Sequence, residues 1–124
     1  MPVLDTPEIV RAFLTIQSAP LDIEVFSLLL LDGNRGLIDY VELSRGTIDG
    51  ATVYPREVVK QALSRGAASV ILVHNHPSGS VAPSLADENM TRRLKAALGL
   101  FDIRVLDHVI VGSSIFSFSE MGLL

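Results

Sequence analysis

The stretch from Ala68 to Pro77 constrains this chain more than any other. Ala68-Ser69-Val70-Ile71-Leu72-Val73 is a short, largely β-branched apolar run behind Gly66, which reads as a buried strand, and it runs directly into His74-Asn75-His76. Residues two apart in an extended segment project to the same side. His74 and His76 therefore reach one ion together from the strand's carboxyl end. Pro77-Ser78-Gly79-Ser80-Val81-Ala82-Pro83 is a loop by its turn residues, and Ser84 is placed as the N-cap of a helix beginning near Leu85. Asp87 falls in that helix's first turn and shares a face with Ser84, so a loop folding back brings its carboxylate to the imidazoles. Three metal-ligand side chains thus lie within fourteen residues. Two neutral imidazoles and one carboxylate leave a fourth position for water, the arrangement of catalytic rather than structural zinc.

The same residues have a plainer reading. Ser84-x-x-Asp87 is close to a capping box, so both side chains could serve the helix alone. For Ser84 the two readings coexist: the residue caps the helix while its hydroxyl faces the site.

Around this segment the pattern predicts one α/β domain, a mixed sheet flanked by helices, over residues 1–124. A helix is expected from Thr6 to Ile16 within a lead-in of residues 1–20, then strands from Ile23 to Leu31 and Leu37 to Ser44. Pro55 opens a second helix through Leu63, with Gly66 as its stop. After the metal strand come a helix from Leu85 to about Leu98, a strand from Ile103 to Val111, a turn at Gly112-Ser113 and a last strand from Ile115 to Phe118. At 124 residues and 48% apolar content, the chain suits one compact core and is no disordered linker. The longest apolar run, near Val25 to Leu31, is too short to span a bilayer. The amino end lacks the basic start and apolar stretch of a secretory signal, so a cytoplasmic location is expected. The absence of cysteine excludes disulfides and thiolate metal sites.

The metal segment resembles the JAMM (MPN+) metalloproteases, whose pattern is a distant Glu, then His-x-His, seven residues and Ser-x-x-Asp. His76, the residues from Pro77 to Pro83, Ser84 and Asp87 match it without a gap. More narrowly, His74-Asn75-His76-Pro77-Ser78-Gly79, Pro83-Ser84, Asp87, Thr91 and Leu106-Asp107-His108 are similar to the bacterial RadC proteins, from about Asp22 to the carboxyl end. An HNH nuclease is set aside, because in that family the three letters are dispersed across a ββα unit. The resemblance implies a cytidine-deaminase-like α/β sandwich, a zinc ion held by His74, His76 and Asp87, and a water activated by a glutamate upstream. Glu42, in the strand-like run Leu37 to Ser44, is the residue expected in that role; by residue type alone Glu24 and Glu57 compete with it. Under this scheme the glutamate accepts the water's proton and returns it to the leaving amine, while Ser84 stabilises the oxyanion of an amide hydrolysis.

This sequence departs from the family in two respects. RadC proteins commonly carry a helix-hairpin-helix segment ahead of this domain, for which no room is expected here, and deubiquitinating JAMM members have Ser or Thr where Asn75 stands. A peptide or protein substrate is expected, without ubiquitin being assumed. Asp107 and His108, a polar pair inside an apolar strand, either support the metal site or form a separate core network. Asn75 either fixes the loop or contacts substrate. A net charge of −4 argues against the broad basic surface of a nucleic-acid binder, and Arg92-Arg93-Lys95 reads as the solvated side of a helix. No membrane association is expected, and the edges of so small a sheet offer a route to a homodimer. Beside the peptidase stand two alternatives: a DNA repair or recombination accessory protein, and a metal-binding scaffold without turnover.

Overall fold

A computed structural model describes residues 3–4, 10, 14, 22–46 and 53–124. Its elements in chain order are β1 (Val25–Leu31), β2 (Leu37–Arg45), α1 (Pro55–Ser64), β3 (Ser69–Asn75), α2 (Leu85–Gly99), β4 (Arg104–Val111) and β5 (Ile115–Ser117). They form one five-stranded mixed sheet in the order β2-β1-β3-β4-β5. β1 is antiparallel to both neighbours, β3 and β4 are parallel with α2 between them in the chain, and β5 is antiparallel to β4. The expected α/β domain with a mixed sheet is therefore present.

β1 is buried at every position, and its side chains divide between two cores by strand alternation. Phe26, Leu28 and Leu30 meet Val70 and Leu72 of β3 on the face covered by α1 and α2, where Val58, Ala62, Met90, Leu94 and Leu98 complete the packing. Leu29 and Leu31 join Ile71, Val73 and Val109 on the other face, against Leu4, Val10 and Leu14. The expected helix from Thr6 to Ile16 lies largely outside the described residues; Val10 and Leu14 within it are helical and buried. Among the described residues no helix is long and apolar enough to cross a membrane.

Local chemistry explains the boundaries. α1 begins with Pro55 in its first turn, where the missing N–H costs nothing, and the chain reverses after it at Gly66, whose φ of +65° suits a residue without Cβ. β1 starts two residues later than the Ile23 expected from the apolar pattern: its pairing with β3 begins only at Phe26, and Glu24 keeps a backbone bond, from the Gly46 N–H to its carbonyl at 2.9 Å. One irregularity shapes β4. Val70 pairs with Val105 and Ile71 with Asp107, so Leu106 is an extra residue that shifts the strand's alternation.

Leu72 is fully buried at the centre of the helix-covered core. Leu72→Ala is expected to lower stability by about 2–5 kcal/mol, read from the denaturant midpoint.

Candidate metal centre

The site lies where β1, β3 and α2 meet. β1 and β3 are paired so that Phe26 stands opposite His74. Glu24, two residues before Phe26, therefore projects on the same face as His74. On the other side, the loop after β3 carries His76 and returns to Ser84, the N-cap of α2. Ser84 Oγ accepts from the Asp87 N–H at 3.0 Å, and the Ser84 N–H donates to Asp87 Oδ2 at 2.9 Å, a complete capping box. The loop is fastened across to the β4–β5 turn: the Ser113 N–H and Oγ both donate to the Gly79 carbonyl at 2.9 Å. Gly112 is required there, since a Cβ on it would lie 2.6 Å from that same carbonyl oxygen.

His74, His76 and Asp87 can each offer one ligand atom, all within 4.8 Å of one another. Their hydrogen-bond partners indicate which atoms those are. His76 Nδ1 lies 3.0 Å from the Ser80 carbonyl, which can only accept, so Nδ1 carries the hydrogen and Nε2 is left bare. His74 stands between two carboxylates, with Nε2 3.1 Å from Glu24 Oε2 and Nδ1 toward Asp87; with its hydrogen given to the nearer one, Glu24, Nδ1 is left bare. Those two bare nitrogens face Asp87, at 3.4 Å from Oδ1 for His74 and 3.3 Å from Oδ2 for His76. His74 Nδ1 is buried with no hydrogen-bond partner among the described residues. Lone pairs facing a carboxylate repel, and a cation among them turns the repulsion into ligation. The donor set of two imidazoles and one carboxylate, with an orphaned buried nitrogen, fits a metal ion.

The ionisation of these groups follows from the same crowding. Burial opposes charge on His74, but the carboxylates of Asp87 and Glu24 outweigh it and raise the imidazole above its ordinary value. Burial also penalises the Asp87 carboxylate, yet His74 and the Ser84 N–H hold it well below the usual carboxylate range. A proton on His74 would do part of a cation's work.

The structure brings together His74, His76, Ser84 and Asp87 and leaves Glu42 apart from them. Glu42 lies on the edge strand β2, between Val41 and Leu43, which pack on the helix-covered core, so its side chain faces away from the histidines. There it is exposed and paired with Arg45 at 2.6 Å, which lowers its carboxyl. Glu57 is in the first turn of α1. The carboxylate beside the histidines is Glu24, which lines a cleft of about 480 Å³ with His76, Ser78, Ser80, Ser84 and Asp87. Only the register of β1 against β3 could have identified it.

The polar pair of β4 divides into two roles. Asp107 is buried, and burial raises its carboxyl despite hydrogen bonds from Ser117 Oγ at 2.5 Å, the Ser119 N–H at 2.9 Å and the His108 N–H at 2.8 Å. It fastens the carboxyl-terminal turn and has no contact with the metal ligands. His108 is fully buried, pushed down to about 3 chiefly by that burial, and stacked on Phe118. Thr91 links it to the site: the Thr91 hydroxyl donates to the Asp87 carbonyl at 2.7 Å and accepts from His108 Nδ1 at 2.6 Å. His108 thereby steadies the turn of α2 that presents Asp87. Thr91 had no role assigned from sequence; its spacing of four from Asp87 is the signal that would have suggested one.

A metal ion at this site would compete with a proton for His74. Affinity for zinc is expected to rise with pH through the neutral range and level off above the raised His74 value, with about one proton released per zinc below it. Calorimetry in buffers of different ionisation enthalpy measures that release. Gly112→Ala, which drives a methyl into the Gly79 carbonyl, is expected to weaken zinc binding while leaving the sheet folded, by circular dichroism.

The chain matches the RadC-like JAB domain family over residues 4–123. It is 55% identical over 121 residues to a UPF0758 protein of Thioalkalivibrio sulfidiphilus, covering 98% of this chain and 54% of that protein. A UPF0758 protein of Vibrio cholerae is 55% identical over 112 residues, 90% of this chain and 71% of that protein. The chain spans about half the length of curated relatives it matches, 54% to 56% of seven of them. With the match running through all five strands and the whole His74, His76 and Asp87 cluster, this chain belongs to the RadC family and carries its JAB domain.

Proposed function

We propose that this domain is a zinc-dependent hydrolase of amide bonds, a peptidase or isopeptidase acting on a peptide or protein. The observation that carries the reading is the convergence of two bare imidazole nitrogens and a carboxylate beside a cleft that also contains a second carboxylate, Glu24. Zinc held by His74, His76 and Asp87 supplies Lewis acidity and lowers the pKa of water when bound.

The chain's own residues supply the rest. Glu24, 30% exposed at its side chain and lining the cleft, is placed to accept a proton from the attacking water and deliver it to the departing amine. Water adds to the carbonyl carbon, the C–N bond breaks, and the products are a carboxylic acid and an amine. The Ser84 hydroxyl accepts from Asp87 and has a proton left to donate into the cleft, where the first turn of the fifteen-residue α2 adds its positive end. Both favour the negative oxygen that develops during attack. The serine works as a donor and needs no base partner.

Elemental analysis tests the foundation: about one zinc per chain in the wild type and none in His74→Ala/His76→Ala prepared identically. Hydrolysis of a peptide library then separates the two glutamates. Glu24→Gln is expected to lose roughly 10²–10⁴ of the rate with zinc retained, whereas Glu42→Gln stays at the wild-type level. The reverse pattern would restore Glu42 to the role the sequence suggested. Bound zinc with no hydrolysis by any form would leave a metal-binding scaffold.

A further inference from the structure

The backbone ladder between β1 and β3 ends at Phe26 and His74. Continued antiparallel pairing would set Val25 opposite Asn75 and Glu24 opposite His76. The backbone of β3 turns away instead and stays with β4, where Asn75 pairs with Val111 and the His76 N–H donates to the Val111 carbonyl at 2.9 Å. The gap that opens between Glu24 and His76 is the cleft. The side chain of Asn75 spans the parting strands. Its Oδ1 accepts from the Val25 N–H at 2.6 Å, and its Nδ2 donates to the Ile23 carbonyl at 3.0 Å. These two backbone groups flank Glu24 on either side.

We infer that Asn75 is a positioning residue for Glu24: its carboxamide replaces one missing peptide of the sheet, so that the strands separate to form the cleft while Glu24 stays fixed beside His74. A carboxamide is suited to the task because it offers an acceptor and a donor on one planar group, as a peptide does. Aspartate would retain the bond to Val25 and set an oxygen against the Ile23 carbonyl. Serine or alanine would reach neither partner. The three candidate ligands have holds of their own, His74 by its strand pairing with Phe26 and Ile110, His76 by Ser80 and Asp87 by the capping box, so the metal site does not depend on this bridge.

The inference rests on the proposed role of Glu24, and its test is read separately from hydrolysis. With zinc chloride supplied, nuclear magnetic resonance of the wild type, Asn75→Ala and Asn75→Asp follows exchange of the Val25 amide and the nuclear Overhauser contacts between the Glu24 side chain and the His74 ring. Zinc content is measured on the same samples. In Asn75→Ala, Val25 exchange is expected to rise about tenfold, the loss of one hydrogen bond of ordinary worth, and the Glu24–His74 contacts to disappear, with zinc content unchanged. Asn75→Asp should keep Val25 protected and still lose part of the Glu24 contacts. Unchanged Glu24–His74 contacts in Asn75→Ala would overturn the inference, as would loss of zinc together with the contacts, which would make Asn75 a scaffold of the metal site. Where the wild type hydrolyses peptide, Asn75→Ala lowers kcat and not KM, and adding it to Glu24→Gln costs nothing further. Absence of hydrolysis in the wild type would count against the peptidase reading alone.

Discussion

The pairing of β1 with β3 governs everything at the site. Both strands are buried almost throughout, each feeding one core on either face of the sheet, so a slip of one residue would send Phe26, Leu28 and Leu30 to the wrong side. That penalty locks Phe26 opposite His74. From this single register follow the proximity of Glu24 to His74, the point where the strands part, and the place at which α2 must deliver Asp87.

Within that frame the metal ligands are held by bonds that would be made without any metal. Ser80 sets the hydrogen of His76, Glu24 that of His74, and the helix cap takes one oxygen of Asp87. The result is a preorganised but electrically unsatisfied cluster, in which buried lone pairs and a carboxylate are pressed together. A proton on His74 would relieve part of the repulsion. Side chains already held in place let a metal bind without ordering the chain.

Much of this was legible in the sequence where the information is local. His74 and His76 share a face because strands alternate, and Ser84 and Asp87 meet because a helix cap spans three residues; neither needs a distant contact. The order of the elements was equally readable, from apolar runs broken by Gly66, Pro55 and Gly112. Glu24 was harder, since its neighbour lies fifty residues away and only strand register joins them. Glu42 fitted the expected spacing and sat in a strand, yet it lies on the outer face of an edge strand. Asn75 and Thr91 were visible as residues, but their work is to bridge elements, and bridging depends on which atoms tertiary packing brings within reach.

The extra residue in β4 has a further consequence. Val105 belongs to the helix-covered core and Val109 to the opposite one, although a regular strand would place them on the same side. Leu106 supplies the change of phase, and it is this change that turns His108 toward Thr91 and α2. The strand is thus read in two frames, one on each side of the bulge. The bulge absorbs one residue too many: were Leu106 to take a regular place in the ladder, His108 would turn out of the helix interface and the two faces of half the strand would trade places, whereas a strand shortened by that one residue would keep both frames.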